Sequence, residues 1–272
     1  MCCVVAAAVL ATAGCGDGTR PDGQLIVTGS TTLLPIAEQA AESFQKANPG
    51  TNVLVSGLGS SAGIEAVASG TSDIGTASRE LNADEQGLGL VDTPVAYDGI
   101  AVIVHPDNPV DALGTDELRA VFSGEITNWS QVGGEDRRID LVNRDEASGT
   151  REAFKKIVMK ETTFDRSAVV LPGTGQVRDV VAHSKGAIGY ISFGFVAPRF
   201  SKTQVKAIMV DNVAPSDESI MTGEYPISRA LHFLTKGEPS GLAGLYIQHV
   251  LSKEIQEGVV PEAGFVPIGD HK

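Results

Sequence analysis

The sequence predicts an α/β fold with largely parallel sheets, and three observations predict it. Short apolar strands alternate with amphipathic helices along most of the chain, the pattern of strand–helix–strand units. Glycine, serine and threonine gather where strands end and helices begin. No long flexible linker, short-period repeat or low-complexity tract interrupts the 272 residues, a length suited to one large domain or two medium ones.

The elements follow in order. "GQLIVTGS" (23–30) reads as a buried strand ending in Gly-Ser, and "PIAEQAAESFQKANPG" (35–50) as an amphipathic helix with Pro35 in its first turn and a Pro-Gly stop. "TNVLVSGLGS" (51–60) is a second strand, "GIEAVASGTSD" (63–73) a short helix, and "DIGTASREL" (73–81) a third strand with its turn. A second unit opens near "YDGIAVIVHPDNP" (97–109), a strand closed by two prolines. "TDELRAVFSGEITNWSQVGG" (115–134) is a helix and turn, "IDLVNRDEASGTREAFKKIV" (139–158) strand, loop and helix, and "GQVRDVVAHSKGAIGYISFGF" (175–195) helix, turn and strand. "YPISRALHFLTK" (225–236) is another strand, and "GLAGLYIQHVLSKEIQEGVV" (241–260) holds a long amphipathic helix. With no linker between the halves, the chain is expected to cross between them near 98–102 and 222–228, so that a middle domain is inserted into the first.

Apolar residues at 42% and charged residues at 20% describe a globular chain rather than a disordered one. The formal charge of -13 argues against a nucleic-acid partner, which needs a basic face, and against broad steering of an anion. An anion would have to be held by local dipoles and a few placed donors.

The N-terminus "MCCVVAAAVLATAGCGDG" carries an apolar run ending in Thr12-Ala13-Gly14-Cys15. The run is shorter than the roughly 20 apolar residues of a membrane-spanning helix but suits a secretory signal. Small residues before Cys15 resemble the lipobox of bacterial lipoproteins, whose cysteine is lipidated after cleavage, although Thr12 stands where an aliphatic residue is usual and no Lys or Arg precedes the run. A plain cleaved signal or a buried N-terminal strand is the alternative. The cysteines are Cys2, Cys3 and Cys15, so cleavage before Cys15 would leave one thiol and no internal disulfide. Lipidation would remove that exposed thiol from an oxidising compartment.

Three strand–turn–helix junctions carry the chemistry: "TGSTTLLP", "SGLGSSAGIEA" and "NRDEASGTREAF". The first N–H groups of a helix lack internal partners, and its dipole adds about half a positive charge there. Small residues let a ligand approach those groups, and hydroxyls add donors. One such junction is an ordinary helix cap; three, with Arg144 ahead of the third, form a cradle for a tetrahedral oxyanion. Arg144 offers a planar, permanently charged fork for two oxygens. Its ordinary alternative is a surface salt bridge to Asp145 or Glu146.

Competing chemistries are weaker. Gly59-Ser60-Ser61-Ala62-Gly63 fits the G-x-S-x-G pattern of a hydrolase elbow, with Ser61 as nucleophile, in the strand-to-helix setting which that motif requires. The five histidines (105, 183, 232, 249, 271) are scattered, and a catalytic triad would leave the other two junctions unexplained. No H-E-x-x-H occurs, and "NRDE" and "GGEDRR" lack ligand spacing, so no metal and no cofactor is expected. Asn128-Trp129-Ser130 matches the glycosylation triplet and is read as chance in a chain with a bacterial-type lipobox.

Taken together, "VTGSTTLLPIAEQAAESF", "GLGSSAGIEAVASGTSDIGTASREL", "FSGEITNW", "NRDEASGTREAF", "GAIGYISFG" and "YPISRALHFLTK" resemble the phosphate-binding protein of the bacterial phosphate ABC transporter, in order from about residue 24 to 268. The resemblance implies a two-lobed, type II periplasmic-binding-protein fold that closes on phosphate between its lobes. It implies one lobe from 24–100 and 226–272 and a second from 101–225, preceded by the signal peptide over 1–15 that the lipobox predicts and a linker over 16–23. It also implies a monomer, exported and lipid-anchored at Cys15, that hands inorganic phosphate to the transmembrane subunits of a permease and performs no covalent chemistry. The rival readings are a receptor for sulfate, molybdate or tungstate, and an extracellular serine hydrolase or phosphoesterase at Ser61.

Carried over by residue, the resemblance implies donors at Ser30, Thr31 and Thr32, at Ser60 with its backbone, and at Ser78, where some relatives carry aspartate. Arg144, Ser148, Gly149 and Thr150 would form the opposing jaw, with Arg79 behind the contact residues, paired to Glu80 or to another carboxylate near the cleft. Where the family often writes Asp-Gly before Ser-Gly-Thr, this chain has Glu146-Ala147. Phosphate keeps an O–H near neutral pH and sulfate does not, so an acid that accepts that proton would favour phosphate. Glu146 is the candidate acceptor, and Asp145 stands behind it as a loop acid.

Overall fold

The computed structural model describes residues 22–196 and 204–269. The chain opens with β1 (Gly23–Gly29), α1 (Leu34–Ala47), β2 (Thr51–Gly57), α2 (Ser60–Ser69) and β3 (Ile74–Ala77), and then enters the long strand β4 (Leu90–Val104). Next come β5 (Ala112–Leu113), α3 (Thr115–Ser123), β6 (Asp140–Arg144), α4 (Gly149–Phe154), β7 (Val169–Leu171), α5 (Thr174–His183) and β8 (Ala187–Ser192). The remainder is β9 (Lys206–Ala207), β10 (Met209–Val210), α6 (Asp217–Met221), β11 (Ser228–Lys236), α7 (Gly241–Val250), α8 (Val260–Glu262) and β12 (Val266–Pro267).

Strands run in the order β2-β1-β3-β11-β4-β8-β6-β7. β1 lies parallel to β2 and β3, and β6 parallel to β7 and β8, and a helix separates each strand from the next in these runs, as parallel strands require. The centre is different: β11 is antiparallel to β3 and β4, and β4 is antiparallel to β8. The sheets are therefore mixed, because β4 and β11 carry the chain between the lobes instead of closing a strand–helix–strand unit. β4 pairs with β11 from Leu90 to Gly99 and with β8 from Ile100 to Val104. At the change of partner the Ile100 amide donates to the Ile227 carbonyl at 2.7 Å, so the outgoing and returning crossings lie side by side.

The core is divided in the same way. On one side Ile36, Ala37, Ala40, Ala41 and Phe44 of α1, spaced at the helical period, pack with Leu25, Val27, Phe233 and Tyr246. On the other side Phe154 stacks on Tyr190 at 4.2 Å between centroids, and Phe122 meets both rings edge-on. Such aromatic pairs contribute about 0.5–1.5 kcal/mol beyond their buried area. Phe154 closes α4, so this cluster fixes the helix whose first turn is Gly149-Thr150.

Several boundaries differ from the sequence reading. The strand expected from 97 begins at Leu90, and the helix expected over 63–73 runs Ser60–Ser69, ending at a left-handed Gly70. The long helix expected over 241–260 is broken after Val250. Ser252 restarts it, its carbonyl accepting from the Gln256 amide at 2.9 Å, and the backbone widens over Ile255–Val259 before α8. Asn128 of the glycosylation triplet caps the turn Trp129–Val132, and the buried Trp129 donates from Nε1 to the Gly186 carbonyl at 2.9 Å. The signal region, Cys2, Cys3, Cys15 and His271 lie outside the described residues. Among the described residues no helix is long and apolar enough to cross a membrane, and no acidic, histidine or cysteine cluster could hold a metal ion.

Candidate anion-binding cleft

The three hydroxyl-rich junctions meet where the lobes face each other, and a fourth joins them. Thr31 Oγ1 lies 3.0 Å from Thr174 Oγ1, and Thr32 Oγ1 lies 3.3 Å from Thr150 Oγ1. Ser60 Oγ lies 3.3 Å from Ser78 Oγ and accepts from the Ser78 amide at 3.1 Å. The α2 and α4 N-termini approach so closely that a Cβ at Gly149 would stand 2.3 Å from Ser60 Oγ and 2.8 Å from Ser78 Oγ. Gly59 is under the same constraint against Ala147, whose carbonyl accepts from the Ser61 amide at 3.2 Å. Only glycine permits either approach.

Ser30, Thr32, Ser60, Ser78, Ser148 and Thr150 are all buried, and Thr31 is half-buried. Ser30 faces its own loop: its amide donates to Thr76, and its Oγ accepts from the Thr32 amide at 3.2 Å. Ser148 caps α4 by accepting from the Arg151 amide at 3.2 Å, which leaves its hydroxyl hydrogen to donate. The amides of Ser60, Gly149 and Thr150 have no acceptor among the described residues. Buried donors without partners cost roughly 1–3 kcal/mol each, so this cluster is built around something that accepts.

Arg144 ends β6 with 2% of its surface exposed. Its guanidinium donates to the Thr174 and Thr31 hydroxyls at 3.2 and 3.3 Å and to the carbonyls of Pro172 and Leu171 at 2.7 and 3.2 Å. Every one of these acceptors is neutral. Burial pushes its pKa down to about 10, only partly opposed by the neighbouring Asp145, so it stays charged at neutral pH. The alternative, a surface salt bridge to Asp145 or Glu146, is not formed among the described residues. Behind Arg144, Asn143 Oδ1 accepts from both the Arg144 amide and the Tyr190 hydroxyl, tying the strand end to the aromatic cluster.

The other arginines of the cleft are paired. Arg79 forms a bidentate ion pair with Glu85 at 2.6 and 2.8 Å and a second with Glu152 across the cleft. It takes only the backbone carbonyl of Glu80, whose carboxylate instead meets Lys156. Arg229 and Asp98, opposite each other where β11 and β4 cross, form a buried ion pair at 2.7 Å. Burial pushes Asp98 up and Arg229 down, each opposed by the partner's charge.

Glu146 is exposed and has no hydrogen-bond partner among the described residues. The adjacent Asp145 is half-buried, and its Oδ1 is enclosed without a partner. Ser61 lies in the first turn of α2, where its Oγ accepts from Arg79 at 3.2 Å, and no described histidine bonds it. His105, His183, His232 and His249 are engaged elsewhere, with Asp107, Asp179, Asp92 and Ser43.

Thr174, Asp98 and Arg229 are absent from the sequence reading. Thr174 sits in "PGTGQV", a fourth junction of the same composition. The signal for the other two was a lone charge in each of two apolar strands, "YDGIAVIV" and "PISRALHFL", since a buried charge needs a partner.

Comparison with known proteins fits this geometry. The family described as a PBP superfamily domain matches residues 17–254. The phosphate-binding protein PstS of Bacillus subtilis (strain 168) is 35% identical over 256 residues, covering 93% of this chain and 83% of its own. This chain belongs to the phosphate-binding proteins of that superfamily. The PstS of Pseudomonas aeruginosa is 30% identical, covering 90% of this chain and 83% of its own. Among solved structures, a phosphate ABC transporter substrate-binding protein from Clostridium perfringens with bound phosphate superposes with a TM-score of 0.86 at 35% identity, covering 91% of this chain and all (100%) of its own. An ABC-type phosphate transport receptor from Vibrio cholerae gives 0.74 at 32%, covering 89% and 99%. The fold is the two-lobed periplasmic-binding-protein fold of this family.

Proposed function

We infer that the protein binds inorganic phosphate between its lobes and delivers it to an ABC-type permease. The observation that carries this is Arg144: a buried, charged guanidinium bonded only to neutral oxygens, ringed by hydroxyls from both lobes. A desolvated cation in such a place is stabilised by an anion, and four converging junctions match the oxygens of a tetrahedral one. The ligand set is Ser30, Thr31, Thr32, Ser60, Ser78, Arg144, Ser148, Gly149 and Thr150. Ser30 and Ser148 contribute hydroxyl hydrogens, and Gly149 and Thr150 contribute free amides.

The lobes are 24–100 with 226–272, and 101–225. The protein is exported, anchored at a lipidated Cys15 behind a signal over 1–15, and monomeric. It holds its ligand without transforming it. Asp145, rather than the exposed Glu146, supplies the acceptor for the ligand's proton, because its Oδ1 is enclosed and unpartnered beside Arg144.

Calorimetric titration with phosphate, arsenate, sulfate, molybdate and tungstate tests the function. One phosphate bound per chain, with sulfate weaker and no turnover of a phosphate ester, is expected. Saturable sulfate, molybdate or tungstate binding in preference to phosphate would replace the reading with that of another oxyanion receptor.

A further inference from the structure

The crossing of β4 and β11 carries a charge pair that the crossing itself does not require. Replacing a buried ion pair by apolar residues of similar volume is often neutral or stabilising, so the pair is weak as an explanation of the fold. Its hydrogen bonds point elsewhere. A guanidinium has five N–H donors and no acceptor, and all five of Arg229 are used. Two go to Asp98 Oδ2, at 3.1 and 2.7 Å. The others reach the Ser78 carbonyl at 2.9 Å, Thr150 Oγ1 at 3.0 Å and Thr32 Oγ1 at 3.5 Å. Asp98 is equally committed, since its Oδ1 accepts from the Ser192 hydroxyl at 2.8 Å and the Phe193 amide at 3.2 Å. The pair therefore adds no net charge to the cleft and no free acceptor. What it adds is direction.

Thr32 and Thr150 stand on opposite jaws, and both oxygens accept from the same guanidinium. Neither hydroxyl hydrogen can then point at Arg229. At most one of the two is used in their mutual 3.3 Å contact, so at least one is left for a ligand. We propose that Arg229 is a positioning residue of the anion site: anchored on Asp98 at the strand crossing, it holds the oxygens of Thr32 and Thr150 so that a hydroxyl hydrogen of this pair is turned towards the bound oxyanion. The proposal rests on the phosphate-binding reading. It divides the work between two arginines, Arg144 supplying charge and Arg229 orienting donors from both lobes once they close.

The test separates orientation from stability. The double variant Asp98→Asn/Arg229→Gln exchanges the ion pair for a neutral one, and Arg229→Lys keeps the charge while losing the fork. Each is compared with wild type by thermal melting without phosphate and by phosphate titration. Arg229→Lys, melting close to wild type, is expected to bind phosphate roughly tenfold more weakly or worse, the scale of one lost charge-assisted hydrogen bond. The double variant is expected to show the same loss. In a Thr150→Val background, where one oriented hydroxyl is already gone, Arg229→Lys should cost less than it does alone, a coupling that a purely structural role would not produce. Wild-type affinity in Arg229→Lys, or a loss that is unchanged in the Thr150→Val background, overturns the proposal even if the double variant does not fold. A wild-type protein that binds no phosphate instead removes the functional reading beneath it.

Discussion

Thr31 and Thr174, from opposite lobes, meet with 3.0 Å between their Oγ1 atoms, and Arg144 donates to both. One guanidinium thus bridges the jaws through neutral hydroxyls, a contact available only when the lobes are closed. A second set, Thr32 and Thr150 with Arg229, repeats the arrangement. The difference between them is the counter-ion: Arg229 has Asp98, and Arg144 has only a nearby Asp145 that it does not hydrogen-bond.

That difference gives Arg144→Ala a distinctive signature. Phosphate binding should weaken by roughly 2–4 kcal/mol, the range for removing a desolvated charged partner. The unliganded protein should melt no lower than wild type, because an uncompensated buried charge is itself destabilising. Calorimetry that finds under about 0.5 kcal/mol, the size of a neutral surface change, would place Arg144 outside the site.

Gly149→Ala probes closure. The added Cβ would stand 2.3 Å from Ser60 Oγ, a contact made across the cleft and therefore absent from an open form. Overpacking of this kind costs about 1–3 kcal/mol. Phosphate should shrink the radius of gyration of wild type in X-ray scattering, while the variant stays open and binds about tenfold more weakly, or worse. Equal compaction in both proteins would mean that the lobes do not close at Gly149.

How much of this was legible in the sequence depended on how local each signal is. The junctions at Ser30, Ser60 and Ser148 could be read because a strand end, small residues and a helix start lie within a few positions. The α/β alternation could be read for the same reason. Asp98 and Arg229 could not be joined, since their pairing depends on the register of two strands 131 residues apart in sequence. Nor could the fate of the acids: whether Glu146 or Asp145 is enclosed depends on how the turn before Ser148 is held, by the Asp145 amide on the Leu171 carbonyl and the Asp145 carbonyl on the Ser148 amide. The break after Val250 was missed because the apolar period continues through it while the backbone does not.

Ser61 provides a test against hydrolysis. Its hydroxyl accepts from Arg79, which keeps its two bonds to Glu85 without it, so Ser61→Ala should cost less than about 1 kcal/mol in phosphate binding. Fluorophosphonate probes should leave wild type unlabelled at Ser61. Covalent labelling there, lost in Ser61→Ala, would restore the esterase reading.

His249 predicts an acid limb in stability. Burial pushes its pKa below 6.5, only partly opposed by Glu254, while Ser43 Oγ holds Nε2 at 2.7 Å. A histidine that is harder to protonate folded than unfolded contributes its full stability above about pH 6.5 and loses it as the pH falls towards the folded value. Denaturant unfolding at about pH 7.5 and about pH 5.5 should show a smaller difference in His249→Gln than in wild type. An identical difference would assign the acid limb to other groups.

The acids before Ser148 decide selectivity. Glu146 is exposed, where water screens any preference, so Glu146→Gln should leave the phosphate-to-sulfate ratio within about twofold of wild type. Asp145 is different: its Oδ1 is enclosed without a hydrogen-bond partner, near the charge of Arg144. A phosphate O–H can supply the missing donor and sulfate cannot. Asp145→Asn gives the amide group a donor of its own, which a fully deprotonated oxyanion can accept. Phosphate should weaken and sulfate strengthen, shifting the ratio by an amount on the order of 1–3 kcal/mol, the cost of leaving a buried polar group unmatched. Competition titrations of wild type and both variants measure it directly. If neither variant moves the ratio, the ligand's proton is read by the Ser60–Ser78 hydroxyl pair, whose oxygens accept from no guanidinium, and Ser78→Ala becomes the variant that shifts it.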